Sequence, residues 1–176
     1  MQRRTVLQLF AALPSASAAD LHRHEAPAEN VRKAPIYFSP REYEMLRALC
    51  QLIVPPDGKT AGAIEAGAPE FIDLLTSENA DYQRRLSGGF LWLDAACANR
   101  FTLPFLDCNP GQQIEVLDLI AFRANGEKDA ALVPGIQFFS FLRDLVLDGF
   151  FTSPIGIEYL QFRGNRVLTS FPGCPE

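Results

Sequence analysis

The stretch PGIQFFSFLRDLVLDGFF at residues 134–151 limits what this chain can become more than any other. Its length and apolarity suit a helix, and Pro134 suits the first turn, where a missing N–H leaves no hydrogen bond unmade. At about 100° per residue, Gln137, Ser140, Arg143, Asp144 and Asp148 share one arc. Phe138, Phe139, Phe141, Leu142, Leu145, Val146 and Phe150 cover the rest. An apolar arc that wide needs cover on more than one side, so the expectation is a central core helix. Thr152-Ser153-Pro154-Ile155-Gly156 closes it. A second reading gives that end a role: the Phe150-Phe151-Thr152-Ser153-Pro154 turn meets a partner protein. No side chain in the stretch has the character of a catalytic group.

The rest of the chain reads as helices separated by Pro, Gly and Asn signals. Ser39-Pro40-Arg41-Glu42 is a capping box followed by Tyr43, Leu46, Leu49, Cys50 and Ile53 at helical spacing, and Val54-Pro55-Pro56 stops it. Residues 57–68 read as a loop; Asp57-Gly58-Lys59-Thr60 resembles a phosphate loop but lacks the upstream glycine and the strand. Pro69 opens a helix burying Phe71, Ile72, Leu74 and Leu75. Asn79 caps another, carrying Phe90, Leu91, Leu93, Ala96 and Cys97 on its apolar face, Trp92 in the core, and Gly88-Gly89 as a kink or a tight crossing. Asn109-Pro110 opens a helix with Ile114, Leu117, Ile120 and Ala121 on one face; Asn125-Gly126 reads as a turn and residues 127–133 as a polar bridge. Ser153-Pro154 starts a last short helix. Period-2 alternation is absent, so the fold class is all-α: one irregular bundle of five or six helices, residues 37–176, ending in an irregular tail.

The first residues are a different material. Arg3-Arg4 precede Leu7 and a short apolar stretch, and Ala16-Ser17-Ala18 supplies a small-residue cleavage site. This is the grammar of a twin-arginine export signal over residues 1–19, with Val6 and Gln8 departing from the usual pattern; the alternative is an amphipathic first helix of the folded domain. Cleavage would remove two of the 16 basic residues and none of the 21 acidic ones, deepening a net charge of −5. Residues 20–36 read as a flexible linker holding both histidines, His22 and His24, as solvated surface. The twin-arginine route carries folded cargo, and this chain shows no cofactor motif of its own, so the cargo that needs the route is another subunit.

Several functions are disfavoured. An acidic chain lacks the basic face that nucleic acid requires, and no uninterrupted run of 18 apolar residues encodes a membrane span. A flavin-binding unit needs G-x-G-x-x-G between a strand and a helix, covalent haem needs C-x-x-C-H, and neither is present. Cys50, Cys97, Cys108 and Cys174 allow three disulfide connectivities. Cys50 reads as a buried, inert thiol. The pair Cys108–Cys174 is expected to bridge, since both lie in irregular segments beside proline whereas Cys50 and Cys97 sit on helices.

In order along the chain stand the paired arginines, Ile53-Val54-Pro55, Gly67-Ala68-Pro69-Glu70-Phe71-Ile72, Asn109-Pro110-Gly111-Gln112-Gln113, Gly149-Phe150-Phe151-Thr152-Ser153-Pro154, Gly164-Asn165 and Phe171-Pro172-Gly173. With these the chain resembles the gluconate 2-dehydrogenase subunit 3 family over residues 38–173. The resemblance implies a non-catalytic small subunit, with no cofactor, metal or catalytic residue of its own. It would aid folding, assembly and periplasmic co-export of a large FAD-binding subunit of the glucose–methanol–choline type that oxidises a sugar or sugar acid. A c-type cytochrome subunit carrying haem c would take the electrons onward. The expected interface comprises Phe151, Thr152, Ser153, Pro154, Gly156, Gly164 and Asn165; the expected export residues are Arg3, Arg4 and Leu7. The alternatives are a stand-alone exported helical enzyme or binding protein, and an exported structural protein that self-associates through a Phe-rich surface.

Overall fold

The computed structural model describes residues 34–164. Seven α-helices follow one another there, with no strand among the described residues. Helix α1 (Pro40–Ile53) starts on a complete capping box between Ser39 and Glu42, which satisfies donors that a helix start otherwise leaves open. Helix α2 (Ala68–Glu78) follows Gly67, whose left-handed backbone admits the sharp entry. Helix α3 (Ala80–Phe101) is capped by the Asn79 side chain, which accepts from the N–H groups of Asp81 and Tyr82. A 3-10 turn, Phe105–Asp107, leads to α4 (Pro110–Ala121), where Asn109 and Gln112 form a second capping box. Then come α5 (Arg123–Lys128), a 3-10 turn at Ala130–Leu132, α6 (Val133–Phe151) and α7 (Pro154–Tyr159).

Helix α6 is central: α1, α2, α3, α4, α5 and α7 all touch it. Ile136, Phe138, Leu142, Leu145 and Val146 enter the core, and Gln137, Asp144 and Asp148 are exposed, so the polar arc read from the sequence faces outward. Residues 130–151 are also apolar and long enough to cross a membrane, a property that the interrupting Arg143, Asp144 and Asp148 hide from a search for unbroken runs. Packing on several sides gives that apolarity a use within the fold.

Helices α3 and α6 cross through reciprocal insertions. The Phe138 ring of α6 lies where a methyl on Gly89 of α3 would be, and the Trp92 ring of α3 lies where one on Gly135 of α6 would be. The glycine pair therefore neither breaks nor interrupts α3, which runs through it as one helix; Gly89 provides the tight crossing and Gly88 faces open space. The two glycines are expected to respond oppositely. Gly88→Ala should gain roughly 0.5–1 kcal/mol from helix propensity. Gly89→Ala should lose about 1–3 kcal/mol by displacing Phe138 from a packed core. Urea unfolding of the two variants checks this, and equal responses would remove the crossing from the account.

Three features depart from the sequence reading. The all-α bundle holds, with seven helices among the described residues where five or six were expected, because Asn125-Gly126 lies inside α5 instead of forming a turn. The Asn125 side-chain amide donates to the carbonyls of Asp118 and Leu119 near the end of α4, and Gly126 is close to Ile136 and Val133 of α6, so Asn125 ties α5 to α4 and Gly126 lets it approach α6. Leu74, Leu91 and Ile114, expected on buried faces, are exposed, Leu91 by 73%. In α2 Asp73 is buried beside the exposed Leu74, and in α4 Val116 is buried while Ile114 is exposed. Trp92, expected in the core, is half-buried over Gly135.

Three carboxylates fasten the loops. Asp73 is buried, and its oxygens accept from the N–H groups of Ile36, Tyr37 and Phe38 at 2.6, 3.1 and 3.2 Å. Asp94 on α3 accepts from Phe105 N–H at 2.9 Å and lies 3.5 Å from the guanidinium of Arg41 on α1. Asp57 accepts from the N–H groups of Lys59 and Thr60. Those two donors hold its carboxyl below the usual range. The turn that resembles a phosphate loop is thus filled by its own anion.

Candidate functional site

The far end of α6 is built by one serine. Ser153 is buried; its hydroxyl donates to the Phe150 carbonyl at 2.6 Å and accepts from Gly156 N–H at 3.0 Å, closing α6 and capping α7 with one side chain. Pro154 occupies the first turn of α7, where it lacks nothing. Gly156 is buried against the last turn of α6, where a Cβ would strike the backbone at Phe150 and Phe151. This close approach, not a special φ, is what demands glycine there.

The turn separates its two phenylalanines. Phe150 is 4% exposed and Phe151 37%. Their rings meet edge-on with centroids 5.2 Å apart, and Tyr159 of α7 lies 6.1 Å from the first and 6.3 Å from the second. Beside them a cleft of about 150 Å³ is lined by Val54, Pro55, Thr60, Ala61 and the three rings. Helix α7 then ends in a left-handed cap. Gln161 has φ +52°, Gln161 N–H donates to Glu158 and Phe162 N–H donates to Ile157, the paired bonds of a Schellman motif. The cap folds Phe162 back toward the turn of Ile157. Ile157, Tyr159, Leu160 and Phe162 are all exposed, and with Phe151 they make the apolar surface at this end of the bundle.

Of the residues expected at an interface, Phe151, Thr152, Pro154 and Gly164 are exposed, while Ser153 and Gly156 are buried and shape the turn from within. The Thr152 hydroxyl donates to the Asp148 carbonyl. Gly164 has a left-handed backbone, φ +83°. Asn165 lies outside the described residues, as do the export residues Arg3, Arg4 and Leu7, both histidines and Cys174. Sequence reasoning did not place Ile157, Tyr159, Leu160 or Phe162 at the interface. The signal was there: a short helix and the cap after it cannot turn Ile157, Tyr159, Leu160 and Phe162 all toward a core.

Cys50 is buried on α1 and Cys97 lies on α3, as expected, while the expected partner of Cys108, Cys174, lies outside the described residues. Cys50, Cys97 and Cys108 are buried free thiols. Burial pushes the Cys50 thiol up to about 12, in keeping with an inert core residue. Cys97, which the sequence sets apart on a helix, lies beside Cys108: burial, followed by the charge and hydrogen bonding of Cys108, pushes the Cys97 thiol up to about 12.

A family model, Gluconate 2-dehydrogenase subunit 3, matches residues 40–173. The match spans all seven helices and the apolar end. This chain belongs to the gluconate 2-dehydrogenase subunit 3 family. A gluconate 2-dehydrogenase subunit 3 chain is an accessory subunit of a dehydrogenase complex, so it has partner subunits. A search of curated proteins and a search of solved structures each found no match. Of this subunit 3 chain's phenylalanines, Phe38, Phe90, Phe105, Phe138 and Phe150 are buried, while Phe122, Phe151 and Phe162 are exposed.

Proposed function

We propose that this chain is the non-catalytic small subunit of a periplasmic, FAD-dependent sugar or sugar-acid dehydrogenase. It assists folding and assembly of a large flavoprotein subunit of the glucose–methanol–choline type, and its twin-arginine signal takes the assembled pair across the membrane. FAD belongs to that large subunit, and a c-type cytochrome subunit with haem c receives the electrons. The carrying observation is the apolar end of α6 and α7: Phe151, Ile157, Tyr159, Leu160 and Phe162 exposed together on a rigid turn in a chain of this family. Exposed aromatic groups held in a fixed turn lose little conformational freedom on docking, and a partner surface of this character resembles a core cut in half.

The experiment is co-expression with the large subunit. Replacing Arg3 and Arg4 by Lys is expected to leave both chains in the cytoplasm, as judged by fractionation and flavin absorbance. The wild-type pair should reach the periplasm and purify together as a yellow complex. A large subunit that still reaches the periplasm beside the doubly substituted chain would end the carrier reading.

A further inference from the structure

We propose that Cys97 and Cys108 are a dithiol pair that closes to an intramolecular disulfide, pinning the segment after α3 back onto α3. The placement is set by a hydrogen bond one turn away. Asp94, three residues before Cys97 on α3, accepts from the N–H of Phe105, three residues before Cys108. Each cysteine thus stands three residues beyond one end of that anchor, Cys97 on α3 and Cys108 on the returning segment. Cys108 N–H donates to the Phe105 carbonyl, and the same carbonyl accepts from the Gln113 side chain on α4. The segment is therefore tied to α3 through Asp94 and to α4 through Gln113, with both thiols enclosed between. Cys97 is 0% and Cys108 6% exposed, and both belong to the one hydrophobic cluster. Cys108 Sγ faces the Leu103 carbonyl at 3.9 Å. Cys50 on α1 has Glu70 and Arg47 as its charged neighbours, not a second thiol.

The oxidant is a low-molecular-weight or protein disulfide. Cys108, the more accessible, takes up one half of it as a mixed disulfide while the other half leaves as a thiol. The Cys97 thiolate then attacks the Cys108 sulfur, the sulfur–sulfur bond within the chain forms, and the second thiol departs. The two cysteines lose two electrons and two protons; the oxidant's sulfurs gain them. Burial keeps the Cys97 thiolate scarce, so closure is slow in the folded chain and quickens with rising pH. It is an alternative to the expected Cys108–Cys174 bridge, whose second cysteine lies outside the described residues.

The test uses the reduced full-length chain with excess oxidised glutathione at several pH values, followed by alkylation, proteolysis and mass spectrometry. The expected product is a peptide pair joined through Cys97 and Cys108, lighter by two hydrogen atoms, with Cys50 alkylated only after denaturation. Its rate of formation should rise with pH. In Cys97→Ala the mixed disulfide on Cys108 should accumulate instead of resolving. A bridge from Cys108 to Cys174, or Cys97 and Cys108 both still alkylated after prolonged exposure, would overturn the proposal. The measurement needs no export, so its outcome is separate from that of the carrier reading.

Discussion

Phe150→Ala is expected to lower the stability of the purified chain by about 3 kcal/mol, at the lower end for a buried phenylalanine. The lower end applies because Phe150 stands outside the principal hydrophobic cluster, in a satellite with Phe151 and Tyr159 at the end of the bundle, where α7 can settle into part of the space. Phe151→Ala is expected to act elsewhere. Its ring is over a third exposed, so the chain itself should lose only the aromatic contacts, about 0.5–1.5 kcal/mol. Against the large subunit the loss should be about 2 kcal/mol or more, the cost of truncating an aromatic anchor. Urea unfolding of each variant and titration against the large subunit separate the two effects. A Phe151→Ala chain that binds like wild type once folded would move the interface away from this turn.

Asp73→Ala is expected to cost about 2–4 kcal/mol, because hydrogen bonds to a charged acceptor are each stronger than neutral ones and three donors lose theirs together. Water can reach Ile36 and Tyr37, which are exposed, but not the buried Phe38, whose ring packs on Phe90 at 5.6 Å. Asp73→Asn should cost about half as much. Its remaining oxygen can keep the donors of Tyr37 and Phe38, while its amide group would oppose Ile36 N–H. Unfolding midpoints give the energies, and protease cleavage across residues 35–39 reports the local release. An alanine variant with the wild-type midpoint and an uncut segment would show that the carboxylate contributes nothing.

The helix boundaries were legible because they are local. Ser39, Asn79, Asn109, Pro134 and Ser153 announce helix starts within four residues of chain, and each does so in the structure. The wide apolar arc of α6 likewise required a central position. Faces were less legible. Periodicity orders the residues around a helix but does not say which sides neighbours will cover, so Leu74, Leu91 and Ile114 were assigned inward and lie outward. Asp73 went unnoticed because its partners lie 35–37 residues away. The meeting of Cys97 with Cys108 was hidden because it depends on the chain doubling back after Thr102, whose left-handed backbone, φ 60°, is one that a threonine rarely adopts. At the apolar end, Phe151 was among the residues expected to face a partner and is exposed. Ser153 and Gly156 looked like surface and are the internal supports of the turn.

The crossing of α3 and α6 has a mechanical consequence. Each helix carries one tooth and one notch, three residues apart: Gly89 and Trp92 on one, Gly135 and Phe138 on the other. A joint with teeth on both bars resists shear in either direction. Sliding α6 by one turn, about 5.4 Å, would drive one ring or the other into backbone. Packed helices commonly shift by about 1–2 Å, and at this crossing even that brings a ring against the facing glycine's backbone. A pull where α6 meets α7 is therefore expected to move α3 along with α6 instead of sliding one helix past the other.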